Sequence, residues 1–216
     1  MIRMIATLRL SYASAYRKQV HINELLDHHR AVVRASMVVV SQVHGDDLDR
    51  PTPCVEWTLA DLLAHMTAQH RGFAAAARGQ GGDPAAWQVH PLGPDAATSY
   101  ATAAEDLLAA FASPVEEFEL PELQPVSHFP AAQAIGFHLI DYVVHGWDVA
   151  RSLGLDYQLP PDVAGPALQI AVLVPNGDNR LAPDSPFAPA LAAGDDADPL
   201  RRILTALGRS PEWPKS

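Results

Sequence analysis

The chain has 216 residues, of which 48% are apolar, and it carries a formal net charge of -10 at pH 7. This length suits one domain with a sizeable core, and the Lys and Arg residues form no dense cluster, which argues against a nucleic-acid partner. No apolar run approaches the roughly 18 residues that a membrane-spanning helix needs. The single cysteine, Cys54, excludes an internal disulfide framework and favours a reducing compartment, so we expect a cytoplasmic protein without a membrane partner.

Residues 1–20 form an N-terminal leader that carries four basic residues and no acidic residue. Arg3 and Arg9 interrupt the apolar segment that a signal peptide would need, and no strong cleavage site follows. We expect this leader to be flexible. A targeting or interaction arm is the alternative interpretation.

Four helices are predicted between residues 21 and 158. Apolar side chains recur at three- and four-residue spacings over residues 21–43, which indicates the first helix. The second begins after Thr58, a good N-cap with Asp61 three residues on, and continues to about Arg78. An Ala-rich third helix covers residues 95–112, and the fourth covers residues 131–153 and ends at Gly154. These elements predict an all-α, four-helix up-and-down bundle.

The segments outside the helices are rich in turn-forming residues. Residues 115–130 contain three prolines and no strand alternation, so we expect irregular structure there. After the bundle come an apolar segment over residues 163–174, a long loop over residues 175–199 and a short helix that ends at Gly208. We expect residues 159–216 to form C-terminal helices and a long loop packed on the bundle.

The stretch "HLIDYVVHGWD" concentrates ionisable groups on one face of the fourth helix. On a helix, His138, Asp141, His145 and Asp148 fall within a sector of about 80°. Asp141 and His145 are four residues apart, so their side chains lie one turn apart and can converge on one ion. Taken alone, this pair is also consistent with an Asp–His hydrogen bond on a solvated face.

The second helix carries a matching group. His65 is the strong metal ligand in the middle of one face, and Ala68 and Gly72 follow it on that face, where we expect them to leave room for an ion and a guest molecule. His65, Asp141 and His145 together make a set of two histidines and one carboxylate. Three protein ligands leave one position open, as a catalytic metal requires.

Two motifs, "TPCVEWTLADLLAHM" and "DYVVHGWDVARSLG", make the chain resemble the DinB-like superfamily over residues 25–155. More closely, it is similar to the actinobacterial branch related to the metal-binding domain of mycothiol-dependent maleylpyruvate isomerase. The resemblance implies a DinB-like bundle and a divalent metal held by His65, Asp141 and His145. Zinc is the first expectation, and nickel, iron or manganese are alternatives. Asp141 stands where the isomerase has a glutamate.

The resemblance also implies a low-molecular-weight thiol, mycothiol or a similar one, and a small-molecule electrophile as substrate. The expected activity is thiol transfer or isomerisation by a metal-dependent transferase or isomerase. A counterpart of the isomerase's second, sterol-carrier-like domain is not expected here, so isomerase activity itself is not implied. Related bundles are often dimers, which favours a homodimer. A non-catalytic metal- or ligand-binding stress or regulatory protein, and a thiol-independent metal-dependent hydrolase or cyclase, are the alternatives.

Several neighbouring residues have two interpretations. His138 is a candidate fourth ligand, supporting donor or general base, or else a packed histidine. Asp148 is a candidate to orient His145, or else pairs with Arg151 or Arg78. Cys54 is expected to pack its loop rather than act as a nucleophile, and Asp61 to cap its helix. The aromatic residues that could line a substrate cavity or fill the core are Trp57, Tyr142 and Trp147. His28 and His29 are expected on an exposed face.

Overall fold

A computed structural model describes residues 22–93, 95–123, 125–182, 185, 187–194 and 197–214. The predicted leader over residues 1–20 lies outside the described residues. Most of the described chain is helical, and four long helices form the predicted all-α bundle: α1 (Ile22–Val40), α2 (Leu59–Ala77), α3 (Ala96–Phe111) and α4 (Ala131–Leu153). In this part of the chain, no helix combines the length and the apolarity needed to cross a bilayer.

The helices follow the order α1, α4, α2, α3 around the bundle. The most extensive contacts join α1 to α4 and α2 to α3, and further contacts join α1 to α3 and α2 to α4. The chain therefore passes diagonally from α1 to α2 and from α3 to α4, which the long connections over residues 41–58 and 112–130 make possible. The all-α four-helix bundle is confirmed, but the up-and-down order, in which consecutive helices are neighbours, holds only for α2 and α3. This order places α2 directly beside α4, so the two helices with the predicted ligands are neighbours.

Local capping signals determine where two of these helices begin or end. Thr58 accepts a hydrogen bond from the backbone N–H of Asp61, whose carboxylate accepts one from the backbone N–H of Thr58. This is a capping box, as predicted, and it begins α2. Gly154 ends α4 with a φ of 73°, a left-handed conformation in which glycine is favoured because it has no Cβ.

The segment between α3 and α4 contains a small sheet, so the prediction of purely irregular structure was wrong there. Strands β1 (Glu117–Glu119) and β2 (His128–Pro130) pair antiparallel with Phe118 opposite Phe129. Both phenylalanines are buried, while the flanking positions are more exposed. Three-residue strands are too short for alternation to be recognised in the sequence.

Two shorter helices, α5 (Pro161–Ala171) and α6 (Pro199–Ala206), pack on each other, and α5 contacts α4 and α1. Between them, the guanidinium of Arg180 is buried and donates hydrogen bonds to four backbone carbonyls: those of Val174, Pro175, Ala188 and Ala206. This residue ties the predicted loop to the end of α6. The C-terminal segment is therefore held together internally by the Arg180 hydrogen bonds, and α5 packs it on the bundle.

Gly72 lies in the middle of α2, and the structure places Trp87 against it. The Trp87 ring is buried, and its Nε1 donates to the carbonyl of Gly81 over 2.7 Å. A Cβ on Gly72 would lie 2.2 Å from Cε3 of this ring. The expectation that Gly72 leaves room for a guest molecule was therefore wrong, because an aromatic side chain from the α2–α3 connection fills the space.

We expect Gly72→Ala to lower the free energy of unfolding by about 2 kcal/mol, because the new methyl group overlaps a ring that is buried and held by a hydrogen bond to Gly81. Urea denaturation monitored by circular dichroism measures this effect. Gly165→Ala in α5 is the matched control, since a Cβ there meets no atom within 4 Å. The control should be neutral or stabilising by up to about 1 kcal/mol through helix propensity. Equal stability of the two variants would contradict the prediction.

Candidate metal centre

The three predicted ligand residues lie close together in the structure. His65 comes from α2, and Asp141 and His145 come from adjacent turns of α4. One potential ligand atom from each residue lies within 4.8 Å of those of the other two. Nε2 of His145 is 3.3 Å from Oδ1 of Asp141, and the rings of His65 and His145 are 5.5 Å apart. The packing of α2 beside α4 therefore brings all three donor groups to one point.

One side of this group is accessible to solvent. His65 is half-buried, and the Asp141 side chain is 34% exposed, whereas His145 is buried beneath them. Trp57, which is itself 37% exposed, packs against His65 with ring centroids 5.0 Å apart and ring planes tilted by 52°. Trp57 is thus the one of the three candidate aromatic residues that borders the accessible side, because Tyr142 and Trp147 are buried in the core.

The electrostatics of the three residues are strongly coupled. The pKa of His65 is lowered to about 4, mainly by burial and in part by the nearby His145, although Asp141 opposes the shift. Burial would lower the pKa of His145 too, but Asp141 and Asp148 outweigh it and raise this pKa well above the ordinary value. Burial would raise the pKa of Asp141, but His145 and His65 reverse the shift and lower it. Asp141 is therefore an ionised carboxylate at neutral pH.

The second nitrogen of His145 contacts Asp148. Nδ1 of His145 is 3.0 Å from Oδ2 of Asp148, whose side chain has no exposed surface. Burial would raise the pKa of Asp148, but His145 and Arg209 outweigh it and keep the carboxyl ionised. The ionised carboxylate of Asp148 accepts a hydrogen bond from Nδ1–H of His145. Nε2 of His145 is then the nitrogen that faces Asp141.

Arg209 is the cationic partner of Asp148, and neither alternative partner named from the sequence contacts it. Nε of Arg209 lies 3.2 Å from Oδ1 of Asp148, and Nη2 donates to Sγ of Cys54 over 3.0 Å. Arg78 instead pairs with Asp106, and Arg151 donates to the carbonyl of Trp213. Sequence reasoning missed Arg209, because it follows α6, far from the motifs, and no spacing rule connects it to α4.

Cys54 is more than a packing residue. Its Sγ donates to Oδ2 of Asp148 over 3.3 Å and lies 3.9 Å from Nδ1 of His145. Cys54, His145 and Asp148 form a second group whose potential ligand atoms lie within 4.8 Å of one another. The guanidinium of Arg209 already contacts both the sulfur and the carboxylate of this second group. A cation therefore fits the His65 side of His145 better than the Cys54 side.

His138 lies away from the three candidate ligands, in the core of the bundle. Its Nδ1 is 2.9 Å from Nε2 of His29 in α1, and its Nε2 is 3.3 Å from Nδ1 of His70 in α2. The His138 ring stacks on Tyr142 with centroids 4.1 Å apart. Each nitrogen of His138 thus faces a different histidine, so the three rings form a hydrogen-bonded chain rather than a convergent ligand set. The packed-histidine interpretation of His138 agrees with these contacts.

The exposed-face prediction for His28 and His29 was wrong, because both side chains are buried. Helix α1 directs His29 toward His138 of α4, and two adjacent histidines in a sequence do not by themselves indicate which side of the helix is buried. Burial lowers the pKa of His29 to about 3, and Arg30 adds to the shift. Burial also lowers the pKa values of His70 and His138 well below the ordinary value. All three imidazoles are therefore neutral in the folded protein near pH 7.

The fold and this donor set define a helical bundle with a candidate metal centre between two of its helices. The sequence profile described as the mycothiol maleylpyruvate isomerase N-terminal domain matches residues 29–150. This match covers more than half of the chain, and the chain belongs to that family. It is therefore a member of a DinB-like family.

Two relatives come from Mycobacterium tuberculosis: the uncharacterized proteins MT0763 of strain CDC 1551 / Oshkosh and Rv0738 of strain ATCC 25618 / H37Rv. Each is 29% identical to this chain over 198 residues, which cover 88% of this chain and 99% of the relative. The similarity therefore includes the C-terminal segment as well as the bundle.

Two solved structures share the fold. Crystal structures of the mycothiol-dependent maleylpyruvate isomerase and of a histidine-to-alanine mutant superimpose with TM-scores of 0.62 and 0.63, at 16% and 15% identity. Each superposition covers 88% of this chain and 90% of the isomerase chain. This coverage extends well beyond the four helices, so the expectation that the isomerase's C-terminal part has no counterpart here is not supported.

The buried histidine chain makes a prediction about stability and pH. The unfolded chain protonates His29, His70 and His138 near pH 6.5, whereas burial holds all three pKa values well below this in the folded chain, that of His29 at about 3. Stability from these groups is complete above pH 6.5 and is lost as the pH falls. We expect a loss of about 1.4 kcal/mol per pH unit for each histidine in this window.

Urea denaturation of the metal-free protein at pH 7 and 5.5 measures this loss. His70→Phe keeps an aromatic ring beside Tyr142 and removes one titrating group. The stability of this variant should depend less on pH, because its unfolding takes up about one proton fewer. His90→Phe, at an exposed position, is the control and should retain the original dependence. The same pH dependence in all three proteins would show that the buried histidines do not cause it.

Proposed function

We propose that this protein is a metal-dependent enzyme that holds one divalent ion through His65, Asp141 and His145. The enzyme transfers a low-molecular-weight thiol to an electrophilic small molecule, or isomerises such a molecule with the help of the thiol. The observation that supports the proposal is the convergence of the three donor atoms at a point with one accessible side. Three protein ligands and an open position are the arrangement of a catalytic metal.

The donor set is chemically suitable for zinc. Two imidazole nitrogens and one carboxylate oxygen are ligands that zinc accepts, and they also suit nickel, iron or manganese. Asp141 has a shorter side chain than the glutamate of the isomerase motif, yet its carboxylate already lies within hydrogen-bonding distance of Nε2 of His145. The shorter side chain is compatible with a shared ion, because α2 and α4 pack closely enough to bring His65 to the same point.

A divalent ion at this position would lower the pKa of a bound thiol or water and supply a nucleophile near neutral pH. The protein's own residues would position and shield that nucleophile. Asp148 holds His145 with Nε2 facing Asp141, on the side where the ion would bind, and Trp57 covers one side of His65. The exposed side of Asp141 leaves an approach for the thiol and for the substrate.

Mycothiol is the proposed thiol because the family and the solved structures are named for it. The solved structures are distant in sequence, so their reaction comes to this chain only as a proposal. The accessible edge beside Trp57 favours an electrophile with an apolar or aromatic part that can pack on the indole ring.

We expect His65→Ala to abolish stoichiometric zinc binding, because only Asp141 and His145 would remain. Elemental analysis after dialysis against a weak chelator measures the zinc content, and circular dichroism verifies that the bundle is intact. His90→Ala is the matched control on the surface and should bind one zinc per chain. Full zinc occupancy in a folded His65→Ala protein would contradict the ligand assignment.

The same proteins test the thiol chemistry. Conversion of a panel of electrophiles in the presence of mycothiol, measured as thiol consumption for transfer and as substrate isomerisation at constant thiol, should require zinc and should be lost in His65→Ala. Zinc binding without any thiol-dependent turnover would favour a non-catalytic metal-binding protein. Turnover of a hydrolysable substrate that is independent of thiol would favour a hydrolase or cyclase.

We expect Asp141→Asn to weaken zinc binding by at least tenfold, because a neutral amide oxygen replaces a carboxylate ligand. Asp141→Glu should bind zinc within a few fold of the original chain, since the longer carboxylate can still reach the ion. Competition with a chromogenic chelator measures both affinities. Equal affinities of the Asn and Glu variants would show that Asp141 is not a ligand.

A further inference from the structure

The ion pair between Asp148 and Arg209 joins the candidate metal centre to the end of the chain. Three groups approach Oδ2 of Asp148: Nδ1 of His145 at 3.0 Å, Sγ of Cys54 at 3.3 Å, and Nε and Nη2 of Arg209, each at 3.3 Å. Oδ1 accepts a further bond from Nε of Arg209 over 3.2 Å. The carboxylate is thus fixed in both position and rotation by a guanidinium that follows α6.

A specific backbone turn presents Arg209 to the bundle. Gly208 has a φ of 78°, and the backbone N–H of Arg209 donates to the carbonyl of Leu204 over 2.8 Å. This is the glycine-containing motif that commonly ends a helix. A Cβ on Gly208 would lie 2.5 Å from the carbonyl oxygen of Ala188, so the turn itself is packed closely against the preceding loop. The guanidinium is therefore held by the C-terminal fold and does not reach Asp148 from a free tail.

We infer that Arg209 is a positioning residue for the metal centre: it holds the Asp148 carboxylate, which orients His145 so that Nε2 faces His65 and Asp141. This inference rests on the proposed function. The family match ends at residue 150, so it does not extend to Arg209.

The guanidinium performs two tasks that a smaller group would not. Its two-pronged contact fixes the plane of the carboxylate, and that plane determines the direction of the Nδ1–H bond and the tilt of the His145 ring. The guanidinium also lies against the sulfur and the carboxylate of the Cys54, His145 and Asp148 group. A positive charge there opposes the entry of a second cation, so the ion is directed to the Nε2 side of His145.

The inference is tested on the full chain with Arg209→Met, which removes the charge and keeps much of the side-chain length, and with Arg209→Lys, which keeps the charge and loses the fork. Arg201→Met is the control, because Arg201 lies on α6 and its guanidinium pairs with the exposed Glu212. Zinc affinity is measured by chelator competition, and the geometry of the centre by the absorption spectrum of the cobalt-substituted protein.

We expect Arg209→Met to weaken zinc binding by about 10- to 100-fold, as the loss of a partner that orients a ligand does. Its cobalt spectrum should differ from that of the original chain. Arg209→Lys should recover part of the affinity and of the spectrum, and Arg201→Met should change neither.

A folded Arg209→Met protein with the original zinc affinity would overturn the inference. So would weaker binding with an unaltered cobalt spectrum, since that pattern is expected from a general loss of stability. If Arg209→Met fails to fold, Arg209→Lys decides by the same two measurements. The proposed function fails separately, if the unsubstituted chain binds no zinc or if His65→Ala binds it equally well.

Discussion

The buried carboxylate of Asp148 is the group on which the candidate site depends. Its side chain has no exposed surface, and a buried charge is tolerated only when it is paired and hydrogen-bonded. His145 contacts it from the same helix, and Arg209 contacts it from the far end of the chain. One carboxylate therefore connects the fourth helix of the bundle, the loop with Cys54 and the C-terminal segment. A change in any of these three elements would alter the orientation of His145, because the buried charge of Asp148 would lose a partner.

The polar face of α4 divides into two environments that differ in solvent access. His138 meets two other histidines and an aromatic stack in the core, where desolvation keeps all three imidazoles neutral. Two turns later, His145 lies between two ionised carboxylates that reverse the effect of burial. The same residue type thus serves packing in one place and ion binding, as we propose, in the other. Neighbouring charge and access, rather than the helix position, distinguish the two.

Much of the fold follows from local sequence signals. The capping box at Thr58, the glycine at residue 154 and the apolar spacing of the long helices predicted the bundle, since each depends on residues close together in the chain. Two sequence motifs also identified the family. The small sheet was not predicted, because its strands have three residues each. The burial of His28 and His29 was not predicted either, since it depends on which helix lies beside α1.

The sequence by itself determined the helices, the family and the three residues proposed as ligands, because helical periodicity and short motifs are properties of neighbouring positions. Only the tertiary structure decided that α2 lies beside α4, that Trp87 fills the space above Gly72 and that Arg209 pairs with Asp148. These contacts join residues far apart in the chain, and they form where burial of apolar surface and pairing of buried charge are satisfied together. Sequence spacing does not predict these contacts, because they depend on how all the helices pack together.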